Sequence, residues 1–244
     1  ARVAKLANAM LNMGVKPGDR VATLAWNTAR HLELYFAISG IGAVCHTINP
    51  RLSPDQMAYI VNHAQDKILF FDLTFAPLIA KLAPAFRPVG TYFAMTDRDH
   101  MPSAPTVENL QCYEELLETG EPEIEWPEMD EHAACALCYT SGTTGDPKGS
   151  LYSNRSTVLH TLFTISCVGS PFGVNKPVLP VVPLFHANAW GLPYAAAVSG
   201  TPLVFPGTLK PGAVVCSMGS YNEVDHGVLR EADRFIVDDA DFAA

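Results

Sequence analysis

Positive charge is scarce in this chain: 16 Lys and Arg stand against 25 Asp and Glu, a formal net charge of −9. An acidic chain with no basic stripe is a poor match for a polyanion, which argues against a nucleic-acid partner. Between Glu108 and Glu131 lie ten acids and neither Lys nor Arg, a stretch expected to be a solvated helix and linker. Disulfide spacing is missing too. The six cysteines (45, 112, 135, 138, 167 and 216) do not follow the pattern of a small secreted domain. Cys135 and Cys138 form a C-x-x-C inside the apolar run AACALCY, which reads as a buried strand. Strand positions three apart point to opposite faces, so the pair is not expected to chelate a metal, and no metal ligands are assigned. No signal-peptide pattern opens the chain, and no apolar run of about 18 residues is free of proline, so no membrane span is expected and the cytoplasm is the default. What remains is ordinary globular composition: 48% hydrophobic and 17% charged residues over 244 positions, enough for one large core or two smaller ones.

Periodicity orders the chain. Val3, Leu6, Ala7, Met10 and Leu11 fall on one helical face that stops at Gly14. This helix has no cap or initiator methionine before it, so the chain is expected to be cut short at its start. A strand at 20–25, a helix at 28–41 and a strand at 43–48 follow. Ser53-Pro54-Asp55-Gln56 has the form of a capping box, opening a helix to about residue 64. A strand at 68–72, a helix at 75–82, a strand at 91–95 and a short helix at 112–118 continue the alternation. The proline- and acid-rich connector at 121–131 is the best internal boundary. It divides a first α/β subdomain (1–125) from a second (126–206), with an atypical tail at 207–244. The second subdomain reads as strand 134–139, strand onset 150–152, helix 154–167, strand 178–182, helix 187–198 and strand 202–205. Strands alternating with helices predict a largely parallel sheet with helices on both faces.

The most informative stretch is YTSGTTGDPKG, Tyr139 to Gly149. Glycines let backbone approach an anion, hydroxyls and bare N–H groups donate to phosphate oxygens, and a lysine adds a mobile positive charge. The string is not a Walker A loop, because Pro147 stands where that pattern needs its second glycine. Pro147 also lacks an N–H, so Lys148 is not expected to open a phosphate-capping helix. A flap between strands is the expected form.

These residues resemble the signature of the adenylate-forming (AMP-binding) superfamily, and the order of blocks from residue 1 to about 206 is similar to a fatty acyl-CoA synthetase. The stretch GVKPGDRVATLAWN contributes to that likeness. The resemblance implies the large N-terminal domain of such an enzyme without its C-terminal lid. It implies ATP, Mg²⁺ and coenzyme A as substrates or cofactor, with a carboxylic acid, fatty in class, as the third reactant. Thr140, Ser141, Gly142, Thr143, Thr144, Gly145 and Lys148 then bind the nucleotide phosphates, with Lys148 and Thr140 acting catalytically.

A second block, PLFHANAWG from Pro183 to Gly191, is similar to the superfamily motif lining the acid pocket. Phe185, His186 and Trp190 are its candidate substrate contacts. Amino-acid-activating members place an aspartate near this point. Here Phe185 is followed by His186, which favours acids with an uncharged tail. Asn154 and Ser150 depart from the usual histidine and aliphatic. After Gly207 the family's later motifs are missing, and the tail resembles part of the ornithine cyclodeaminase/μ-crystallin nucleotide domain. No G-x-G-x-x-G precedes it, so a working dinucleotide site is not expected there. The alternative to an active ligase is a non-catalytic nucleotide-binding fragment or a fusion with that remnant.

Overall fold

The computed structural model describes residues 1–103, 107–140, 146–167, 170 and 172–205. Its framework is a seven-stranded sheet. In chain order the elements are α1 (Arg2–Asn12), β1 (Arg20–Leu24), α2 (Ala29–Gly40), β2 (Val44–Thr47), α3 (Pro54–Ala64), β3 (Ile68–Phe71), α4 (Ala76–Leu82), β4 (Thr91–Ala94), β5 (Leu110–Cys112), α5 (Tyr113–Glu118), β6 (Ala134–Thr140), β7 (Lys148–Ser153), α6 (Asn154–Ser166) and α7 (Leu192–Ser199). Strands lie in the order β5-β4-β3-β1-β2-β6-β7. All neighbours are parallel except β6 and β7, which are antiparallel. The expected α/β class is the observed one.

Local signals account for the helices. Ser53 accepts from the Gln56 N–H, and the Gln56 side chain reaches back to the Ser53 N–H, so both halves of the capping box close on α3. Thr28 caps α2 through the His31 N–H. On α1, Leu6, Ala7 and Met10 are buried as their spacing requires, but Leu11 is 40% exposed. The apolar stripe is thus narrower than expected at the helix's last turn.

Strand β3 reads ILFF and is buried at every position, as a parallel strand covered on both faces must be. Leu69 and Phe71 join Val44, Leu137, Met57, Ile60, Val61 and Ile79 in one core cluster. Phe70, one position out of phase, stacks on Phe93 at 4.7 Å and meets the Tyr113 ring edge-on at 6.2 Å. Within that sheet His46 on β2 is buried with Asp66, Nδ1 to Oδ2 at 2.7 Å. Burial raises the Asp66 carboxyl above its ordinary value, and the attraction of His46 works against that rise.

The chain divides into two compact units, residues 1–157 and the part from 158 onward. The expected boundary at 125/126 falls inside the first unit, because β6 beyond the connector pairs with β2 before it. The connector itself is pinned along that unit. Asn8 Nδ2 donates to the Glu121 and Glu123 carbonyls at 2.9 and 2.8 Å. The Trp126 ring lies over Gly40, where a Cβ would come within 2.5 Å of it.

In the second unit the expected strands at 178–182 and 202–205 reduce to a single parallel bridge, Val178 to Leu203. Prolines at 177, 180 and 183 remove the N–H groups a ladder needs. The tail at 207–244 lies outside the described residues.

Candidate phosphate-gripping site

Strand β6 ends at Thr140 and β7 begins at Lys148, and these two residues are register partners of the antiparallel pair. Thr140 Oγ1 donates to the Lys148 carbonyl at 3.4 Å. Both residues are exposed. The motif is therefore a connection between strands, as its proline required, and not a strand-to-helix cradle. Ser141, Gly142, Thr143, Thr144 and Gly145 lie outside the described residues.

Location matters as much as identity. Thr140 stands at the carboxyl end of its strand, the edge where open parallel sheets place their ligands. Trp26 follows β1 and Asp72 follows β3 at that same edge. The Trp26 N–H donates to Asp72 Oδ2 at 2.6 Å, and its indole N–H donates to Thr74 at 3.0 Å. Burial raises the Asp72 carboxyl from 3.8 to about 6, opposed by the Trp26 N–H and the Arg30 charge.

That shift has a stability consequence with a definite sign. A carboxyl whose folded-state pKa is raised is destabilising when ionised. Its favourable protonated contribution is full below about 3.8 and is lost as pH rises through about 6. Asp72→Asn keeps the acceptor for Trp26 without the charge. It is expected to raise unfolding free energy by about 1–3 kcal/mol at pH 7.5 and by little at pH 3.5. Urea midpoints of the two proteins at both pH values check this; a pH-independent difference would rule it out.

Tyr139, one residue before Thr140, is buried, and its hydroxyl is bonded to His63 Nδ1 at 2.7 Å. Its ring lies 5.1 Å from that of His46. Burial, with the Asp66 charge as a smaller contribution, pushes the phenol up to about 12. At neutral pH the hydroxyl therefore keeps its proton for hydrogen bonding. Neither contact was legible in the sequence, since 76 residues separate His63 from Tyr139.

A cavity of about 440 Å³ opens at the opposite edge, lined by Pro17, Arg20, Ile41, Val44, Met129 and Leu151 among others. It sits at the amino ends of β1 and β2 and is separate from Thr140 and Lys148. Among the described residues no group of three or more His, Cys, Asp and Glu is arranged to hold a metal. No helix among them is long and apolar enough to cross a membrane.

The second motif belongs to the second unit. Phe185 is buried at 3% exposure, whereas His186 is exposed and Trp190 is 60% exposed. A helix was expected from residue 187. Instead Ala187, Asn188, Ala189 and Trp190 take left-handed φ values of 45, 54, 47 and 56°, and α7 starts only at Leu192. Left-handed backbone costs about 1–2 kcal/mol per L-residue, so tertiary contacts must hold it. One is visible: His160 Nε2 is bonded to the Trp190 carbonyl at 2.9 Å. Gly191 follows at φ +75°, and a Cβ there would approach His160 Cδ2 to 2.5 Å. Strained backbone of this kind is often found at functional sites.

Comparison with known proteins bears on these motifs. The profile of the family described as AMP-binding enzyme matches residues 1–218. A 3-methylmercaptopropionyl-CoA ligase of Ruegeria lacuscaerulensis is 50% identical over 207 residues, covering 85% of this chain and 38% of that protein. A medium-chain-fatty-acid–CoA ligase of Ectopseudomonas oleovorans is 49% identical over 212 residues, covering 87% and 39%. The chain thus spans about two fifths of the length of these curated relatives. Among solved structures, a putative long-chain-fatty-acid CoA ligase from Rhodopseudomonas palustris superposes with a TM-score of 0.72 at 24% identity, covering 84% of this chain and 48% of that one. That likeness concerns the fold. With the motif, the fold and the profile in agreement, the chain belongs to the AMP-binding enzyme family.

Proposed function

We propose that this chain carries the phosphate-gripping part of an AMP-forming acyl-CoA synthetase, which activates a carboxylic acid with ATP and passes the acyl group to coenzyme A. The observation that carries the reading is the pairing of Thr140 with Lys148 at the carboxyl edge of a parallel sheet. The likeness to CoA ligases at about half identity supports it.

In the proposed reaction the acid's carboxylate oxygen attacks the α-phosphorus of ATP. The bond to the β-phosphate oxygen breaks, releasing pyrophosphate and leaving an acyl-adenylate. The thiol of coenzyme A then loses its proton and attacks the acyl carbon, and AMP departs with the electron pair of the broken bond. The physical obstacle is an anion approaching a polyanion. Thr140, Ser141, Thr143 and Thr144 donate to phosphate oxygens, Gly142 and Gly145 admit close backbone approach, and Lys148 offsets negative charge on the leaving group. Mg²⁺ supplies further charge neutralisation when it accompanies the nucleotide; no residue is assigned to hold it.

His186 and Trp190 are the proposed contacts for the acid, with Phe185 setting the backbone behind them. The motif from Pro183 to Gly191 contains no Asp or Glu to pair with a substrate ammonium, so the proposed acid has an uncharged tail. The atypical stretch at 207–244, whose first part falls inside the family match to residue 218, is proposed to resemble part of the ornithine cyclodeaminase/μ-crystallin nucleotide domain. A cytoplasmic setting and small-molecule partners only, without nucleic acid, complete the proposal.

The test is acid-dependent exchange of labelled pyrophosphate into ATP by the purified chain, with octanoate and 3-methylmercaptopropionate as acids. Exchange above an acid-free control supports the ligase reading. MgATP binding without exchange supports the second reading, a segment that grips phosphate but does not turn it over alone. The chain spans about two fifths of the length of the CoA ligases it matches. Neither binding nor exchange rejects both.

A further inference from the structure

We propose that Tyr139, His63 and Gly149 form a positioning device that sets where Thr140 and Lys148 stand relative to each other and to the sheet. The inference rests on the phosphate-gripping role proposed above and deepens it. Three contacts meet at one ring.

The first is the bond between the Tyr139 hydroxyl and His63 Nδ1 at 2.7 Å. His63 sits in the last turn of α3, and its ring is stacked on that of Tyr59 at 5.4 Å with 22° between planes. Its orientation is thus fixed from its own helix, which is capped at the other end by Ser53 and Gln56. The second contact is the His46 ring against Tyr139, and His46 is itself held by Asp66.

The third contact is Gly149. A Cβ at this position would lie 3.3 Å from Tyr139 Cζ and 3.1 Å from Leu137 Cδ1. The bare backbone of β7 therefore rests on the tyrosine ring. Gly149 immediately follows Lys148, and Tyr139 immediately precedes Thr140. One aromatic ring consequently spaces α3 from β7 and references both ends of the motif to the same helix.

Charge-assisted donors lose most of their effect when displaced by about 1 Å. A phenylalanine would fill the same volume, so the hydroxyl bond is the part of the device that packing does not require.

Five proteins test this: the wild type, Tyr139→Phe, His63→Leu, the double variant Tyr139→Phe/His63→Leu and His63→Asn, whose amide reaches the place of Nδ1. MgATP is the probe, with its Kd, its KM against kcat in pyrophosphate exchange, and urea midpoints. Tyr139→Phe and His63→Leu are each expected to weaken MgATP binding about fivefold to tenfold, the scale of one hydrogen bond. The KM for the acid should stay at its wild-type value, the urea midpoint should fall no further than the loss of one hydrogen bond requires, and His63→Asn should restore most of the affinity. The double variant Tyr139→Phe/His63→Leu should be no worse than either single one. Unchanged MgATP affinity in both single variants overturns the inference while leaving the proposed function standing. So does a loss that tracks the urea midpoint and is not rescued by asparagine. If the wild type itself binds no MgATP, the proposed function falls, and this inference with it.

Discussion

Lys148→Ala is expected to slow acid-dependent ATP–pyrophosphate exchange by roughly 30- to 1,000-fold, the equivalent of about 2–4 kcal/mol at the transition state. Lys148 is exposed at the first position of β7, opposite Thr140. An exposed side chain at a strand end contributes little to folding, so urea midpoints should match the wild type. The loss should therefore appear as lost transition-state stabilisation in a folded protein. Lys148→Arg keeps the charge but replaces a compact ammonium with a planar fork, and an intermediate rate is expected. Unchanged exchange in Lys148→Ala would remove this residue from the mechanism and leave the motif with hydroxyls alone.

Asp66→Ala should have the largest effect on stability, lowering unfolding free energy by about 3–5 kcal/mol. The side chains of His46 and Asp66 are fully buried, and Nδ1 to Oδ2 is their mutual hydrogen bond. The other polar atoms of the pair, His46 Nε2 and Asp66 Oδ1, find no partner among the described residues. Removing the carboxylate leaves an imidazole in the core with neither nitrogen satisfied, beside the Tyr139 ring. A loss of that size is a large share of a domain's net stability. Asp66→Asn preserves an acceptor in nearly the same volume and is expected to cost much less. Urea denaturation of the three proteins distinguishes the cases; an Asp66→Ala loss below about 1 kcal/mol would mean that the site collapses or admits water.

The elements read from sequence were those whose signals are local. Ser53 and Gln56 lie three residues apart, and their reciprocal bonds depend on one turn of chain. Helix α2 and strand β3 followed from periodicity and from an unbroken apolar run. The proline at 147 ruled out a helix after the hydroxyl string, and the antiparallel β6–β7 pair agrees. Edge strand β5 has no signal in the sequence, because three residues carry no usable period. The run at 187–191 was read as helix because its residues are compatible with one. A histidine twenty-seven or more positions earlier, bonded to the Trp190 carbonyl, accompanies the left-handed path it takes instead.

By itself the sequence determined the α/β class, the family and the chemical character of the proposed phosphate grip. Each is written in short-range chemistry: alternation of apolar runs, a capping box, and hydroxyls and glycines ending in a lysine. Tertiary structure alone decided which strands are neighbours, that the acidic connector is strapped to α1 and α2, and that Tyr139 bridges His63 and Gly149. Those outcomes depend on groups brought together across tens of residues, where the cost of ordering the intervening chain must be offset by burial that no local pattern records.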